Sequence, residues 1–125
     1  MRNFQELKVW NKAHEVTLAA YKATAGFPKQ EMFGLTSQIR RAVSSIGANI
    51  AKGAGGGTNA DFVRFLQISL GSANELHNHL LLARDLGLIV DDDFERLLAD
   101  VLETQKMLAK FVQYLTPKRN LIPNT

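Results

Sequence analysis

The chain of 125 residues contains no cysteine. That excludes a disulfide framework, a thiolate metal site and a thiol nucleophile, and it suits a reducing compartment. No apolar run approaches the roughly 20 residues of a membrane span. The opening Met1-Arg2-Asn3-Phe4-Gln5-Glu6 lacks the apolar core of a signal peptide. The expectation from these absences is a soluble, cytoplasmic protein with no membrane partner. Acid is also missing from a long stretch: between Glu31 and Asp61 the only charged residues are Arg40, Arg41 and Lys52. At this length the prior is one domain.

What is present is helical periodicity broken at few places. Gly53-Ala54-Gly55-Gly56-Gly57 places four glycines in five positions, each costing about 1 kcal/mol in a helix interior. Thr58-Asn59-Ala60-Asp61 restarts a helix, with Thr58 accepting from the amide three residues on and Asp61 reaching back at the positive helix end. The four expected helices lie near 3–24, 35–52, 59–86 and 91–115. The first carries a stripe of Leu7, Trp10, His14, Thr17 or Leu18, and Tyr21, and stops at Gly26, read as a left-handed cap, before Pro28. The second buries Leu35, Ile39, Ala42, Val43, Ile46 and Ile50. Its small residues Ser44, Ser45, Ala48 and Asn49 fit tight helix packing or, alternatively, close approach of a strand of nucleic acid.

The third helix has the seam Phe62, Leu66, Ser69, Ala73, Leu76, Leu80 and Ala83. Outside that seam lie Val63, Phe65, Ile68, Leu70 and Leu81, more apolar surface than a single bundle stripe needs. Those five residues are the candidate oligomer interface. Gly87 caps this helix, and Asp91 is the expected N-cap of the fourth, whose seam is Phe94, Leu98, Val101, Gln105, Leu108, Val112 and Leu115. The bundle domain is drawn over 1–116, with 117–125 as a flexible C-terminal tail.

Catalytic chemistry finds no foothold. His77 and His79 are two apart, about 200° around a helix, and His14 stands alone. The Glu-x-x-His pairs of di-iron bundles are absent. The glycine cluster has Lys52 before it and no lysine after it, which is not a phosphate loop. The expectation is no catalytic residue, no metal and no cofactor.

Charge is uneven along the chain. Residues 1–57 hold eight Lys/Arg against three Asp/Glu, and residues 58–115 hold five against nine, within a formal net charge of +3. A basic half fits a polyanion partner on one face; it fits equally an attraction between helical pairs or between subunits. Arg40, Arg41 and Lys52 are the candidate nucleic-acid contacts, with Lys12 and Lys29 as peripheral helpers. Arg41 and Lys52 are eleven residues apart, close to three helical turns, and so share a face.

Several segments together resemble one family. They are Leu7-Lys8-Val9-Trp10-Asn11-Lys12-Ala13, Phe27-Pro28-Lys29, Gly34-Leu35-Thr36-Ser37-Gln38-Ile39-Arg40-Arg41-Ala42, Ser45-Ile46-Gly47-Ala48-Asn49-Ile50-Ala51-Lys52-Gly53, then Phe62 to Leu66, Gly71-Ser72 and Glu75-Leu76. Over about residues 4–115 the chain is similar to the 23S rRNA intervening sequence proteins, whose fold also includes the accessory variability determinants of diversity-generating retroelements. The resemblance implies an all-α, antiparallel up-down four-helix bundle assembled as a ring-shaped homopentamer, with no established catalysis. Through the retroelement relatives it also implies nucleic-acid binding by basic surfaces and a reverse-transcriptase partner. Lys52 departs from the glutamate common at its position, and Gly55-Gly56-Gly57 from an arginine-bearing stretch, so that region is more basic with a less ordered loop. The functional expectation is a non-enzymatic oligomer binding RNA or single-stranded DNA without sequence preference. The alternative is a protein-interaction scaffold with no nucleic-acid role.

Overall fold

The structure is a computed structural model and describes residues 2–117. Four helices form it: α1 (Lys8–Thr24), α2 (Leu35–Ala54), α3 (Asn59–Asp85) and α4 (Asp91–Leu115). Single 3-10 turns precede α1 at Phe4–Glu6 and α2 at Lys29–Glu31. There is no strand among the described residues. The tail expected over 117–125 lies, from Lys118 on, outside the described residues.

Contacts between helices give the topology. Ser69 Oγ donates to Ile46 O at 2.8 Å, and Ser45 Oγ meets Ser72 Oγ at 2.9 Å. Residue numbers rise on α2 as they fall on α3, so the pair is antiparallel. Thr17 Oγ1 donating to Val43 O (3.2 Å) and Arg40 reaching Thr24 (2.9 Å) orient α1 and α2 the same way. Gln105 donating to Asn74 (2.9 Å) together with Arg84 over the Phe94 ring (5.1 Å) does so for α3 and α4, and Lys12 with Asp100 (2.9 Å) joins α1 to α4. The order is up-down-up-down, each helix flanked by its neighbours in sequence and α4 closing on α1.

The cores of α2 and α3 match expectation: Leu35, Ile39, Ala42, Val43, Ile46 and Ile50 are buried, as are all seven residues of the α3 seam. α1 departs from it. Its buried face is Val9, Ala13, Val16, Ala20 and Thr24, while Trp10 is half-buried and His14, Leu18 and Tyr21 are exposed. Trp10 instead stacks on His14 (4.8 Å between rings) along the flank. A face of small side chains lets α1 seat closely, and the larger residues cover the seam from outside. α1 also begins later than expected, since Leu7 is extended and Asn3 caps the preceding turn by accepting from Gln5 N.

In α4 Leu97 and Thr104 are buried rather than Leu98 and Gln105, and Val112 of the expected seam is only half-buried. Thr104 tolerates burial because its hydroxyl donates to Asp100 O at 2.8 Å. The N-cap is Val90, without a side-chain cap bond; Asp91, Asp92 and Asp93 occupy the first turn, where they still oppose the helix dipole. Thr58 caps α3 as expected, accepting from Asp61 N at 3.1 Å, but the Asp61 carboxylate lies 3.9 Å from Arg64.

Gly87 has φ of 71°. Leu88 N donates to Ala83 O and Gly87 N to Arg84 O, the paired bonds of a Schellman cap. Gly26 is not left-handed, because Phe27 N donates to Thr24 O in an ordinary turn. α2 continues through Gly53 and Ala54 rather than ending at Lys52. A Cβ at Gly53 would lie 2.7 Å from Phe62 Cδ1 and 3.0 Å from Phe65 Cβ, so this glycine serves close approach of α2 to α3.

Candidate nucleic-acid interface

The candidate cations occupy four different environments. Arg41 and Lys52 are exposed on the outer face of α2, with Ser44 and Ala48 exposed between them. Eleven residues at 1.5 Å each set them about 16 Å apart along the helix axis. Among the described residues no carboxylate pairs with either. Arg40, one position round, is committed to α1: its Nε donates to Thr24 Oγ1 at 2.9 Å, Nη2 to Tyr21 O at 3.3 Å, and its guanidinium stacks 4.7 Å from the Tyr21 ring centre. It braces the α1–α2 seam and offers only part of its charge outward.

Lys12 is further removed. Its Nζ lies 2.9 Å from Asp100 Oδ1 on the opposite side of α1, facing α4. That hydrogen bond to Asp100 raises the lysine above its ordinary value, opposed by partial burial. A raised lysine stabilises the fold at neutral pH and loses that contribution only as alkaline pH passes its elevated value, and for so exposed a pair the contribution is at most about 1 kcal/mol. Lys29 is exposed in the turn before α2, at the end of the bundle from which Arg41 follows. The structure thus brings Arg41 and Lys52 onto one face, keeps Arg40 at its edge and places Lys12 elsewhere.

The small residues of α2 divide similarly. Ser45 and Asn49 turn inward, Asn49 donating to Ser45 O at 2.8 Å, whereas Ser44 and Ala48 are exposed between the two cations. Sequence reasoning missed Arg2. Its backbone N donates to Ala54 O (2.9 Å), and its guanidinium sits over Phe62 (5.1 Å) and reaches Asn59 Oδ1 (3.4 Å). It straps the amino-terminal segment over the α2–α3 turn, near Lys52. No local motif marks it, because its partners are more than fifty residues away.

Of the candidate interface residues, Val63, Leu70 and Leu81 pack half-buried against the core, and Phe65 lies by Gly53. Ile68 is 43% exposed, and so is Leu82 at 45%. Much of the extra apolar width of α3 therefore serves its two neighbours α2 and α4. Among the described residues no three His, Asp or Glu side chains converge as metal ligands. His79 meets Glu75 at 3.4 Å within one helix. No helix among the described residues is long and apolar enough to cross a membrane.

The fold defines an antiparallel, up-down four-helix bundle with a cation-bearing outer helix face. Residues 5–110 match the family described as 23S rRNA-intervening sequence protein, and the chain belongs to that family. A crystal structure from Bacteroides thetaiotaomicron, described as a protein of unknown function from the S23 ribosomal protein family, is similar at 30% identity. The match covers 84% of this chain and 98% of that one, with a TM-score of 0.76. No curated protein matches the chain.

Proposed function

We propose that the protein is a non-enzymatic subunit of a ring-shaped homopentamer, binding RNA or single-stranded DNA without sequence preference. The observation that carries this reading is the outer face of α2, where Arg41 and Lys52 stand exposed and free of carboxylate partners among the described residues. Phosphate contacts of this kind are blind to base identity. The family description, which links its members to 23S rRNA intervening sequences, adds support without naming a ligand. One subunit offers few such charges. Repeating the face around a ring raises avidity by about 10²-fold or more on one long strand.

The test joins assembly to binding. Light scattering should give about five times the 13.9 kDa subunit mass; a lone subunit at micromolar concentration removes the ring. Ile68→Asp, which alters an exposed position, should disturb assembly more cleanly than a charge at Leu70. Mixed-sequence RNA should be retained at about 50 mM salt and released near 0.3 M, because binding through phosphates displaces counterions. Arg41→Ala with Lys52→Ala should lose most of that retention while remaining oligomeric. Lys12→Ala should change it far less, its charge being met by Asp100. An intact oligomer that retains neither RNA nor single-stranded DNA at low salt leaves the scaffold reading in place.

A further inference from the structure

The two ends of the bundle differ in shape and charge. At the end formed by the α1–α2 and α3–α4 connections, Met32 (54%), Phe33 (94%), Leu86 (59%) and Val90 (68%) are exposed. The α2–α3 register set by Ser45 with Ser72 brings Leu35 level with Leu82, so both connections cap one end. Exposed apolar residues scattered singly are ordinary; these four share the two connections of one end. Glu31, Asp91 and Asp92 belong to the same connections and their flanks, against Lys22 and Lys29; Arg84 is held by Asp85 at 2.9 Å and Arg96 by Asp93 at 2.8 Å.

Near the opposite end, the start of α1 and the close of α4 flank an open groove of about 310 Å³. Leu7, Val9, Met107 and Phe111 line it and Lys8 and Lys110 form its rim. Its lining is almost wholly apolar, a surface against which a phenyl ring can lie. Arg2, Lys52 and Lys106 add positive charge toward that end, against Glu6, Glu103 and Asp61, the last directed toward Arg64.

We infer that these two surfaces are complementary and join copies of this chain head to tail. Phe33 of one copy enters the Leu7–Phe111 groove of the next, and Glu31, Asp91 and Asp92 face Lys8 and Lys110. Such a contact is heterologous, an apolar knob on one place of the molecule meeting a pocket on another, and it propagates unless geometry closes it. The opposed charges select the second copy over a neutral peptide and make its docking salt-sensitive. The contact is separate from the α3 face, so it joins rings if rings form and single bundles if they do not.

Sedimentation of three proteins tests this: wild type, Phe33→Asp, and Lys8→Glu with Lys110→Glu. All the altered side chains are surface positions, and circular dichroism confirms the fold of each. Wild type should grow beyond its basal particle as concentration rises, and less so in about 0.5 M salt. Each variant alone should need about tenfold higher concentration or more for the same growth. Mixed after separate preparation, the variants should form pairs of basal particles and stop, since Phe33→Asp keeps the groove and the lysine variant keeps the knob. Wild type that stays at its basal size up to about 1 mM overturns the inference. Variants that fail alone and also fail when mixed overturn it as well, as does growth that depends on residues 118–125 with both surfaces intact.

Discussion

Phe62→Ala is expected to cost about 3–5 kcal/mol of folding stability. Phe62 is 1% exposed at the point where α2, α3, α4 and the amino-terminal segment meet. Its ring makes an edge contact with Phe111 of α4 (5.2 Å), carries the Arg2 guanidinium 5.1 Å above it, and lies against Gly53 of α2. Removing it leaves a cavity whose walls come from three helices and cannot collapse together. A domain of this size has about 5–15 kcal/mol in all. Chemical denaturation should therefore show a much lower midpoint with a similar slope. A loss below about 1 kcal/mol would mean that the site collapses freely and that the packing described here is loose.

Gly53→Ala sets two effects of opposite sign against each other. Alanine gains about 1 kcal/mol over glycine within a helix. Its methyl group, however, would stand 2.7 Å from Phe62 Cδ1 and 3.0 Å from Phe65 Cβ. The buried Phe62 ring is hemmed in by Phe111 and Arg2, and the Phe65 Cβ is fixed to its own backbone. Relief requires α2 and α3 to separate, and overpacking of this kind costs about 1–3 kcal/mol. The net result should be destabilisation, steeper for Gly53→Leu. Gly71 is the control: exposed in the interior of α3, with open space where its Cβ would go. Gly71→Ala should stabilise by about 0.5–1 kcal/mol. Thermal unfolding of the pair should move in opposite directions. Phe62→Leu should restore part of the loss in the Gly53→Ala background, a coupling that a double-mutant cycle measures.

Helix number, the α2 and α3 cores and the Gly87 cap were all legible in the sequence, because large apolar side chains recur there at a helical period. α1 misled for the same reason. Its inward face is alanine, valine and threonine, while the conspicuous Trp10, Leu18 and Tyr21 sit on its flanks, so weighting by size selected the wrong side. In α4 a threonine that satisfies its own hydroxyl stands one position from the expected Gln105, which bonds Asn74 across the surface seam. The cation-bearing face was legible as a stretch without acid. Whether each cation was free was not, since Lys12 finds Asp100 88 positions away and Arg40 finds Thr24 and Tyr21 on another helix.

The α2–α3 pair bears on how the chain reaches this structure. Its partners are close in sequence, joined by the four residues 55–58, and its serine contacts and the Gly53 approach draw the two helices together before anything distant is needed. The loop-closure cost of such a pair is small. Remote parts of the chain are joined by the closing of α4 on α1 and by the Arg2 strap over the α2–α3 turn, and a bundle so rich in local contacts belongs among the fast folders. This helical hairpin is accordingly the expected nucleus, with the small-residue face of α1 docking afterwards. Stopped-flow traces should then show Ser69→Ala slowing refolding, whereas loss of Lys12 at the closing seam should chiefly hasten unfolding.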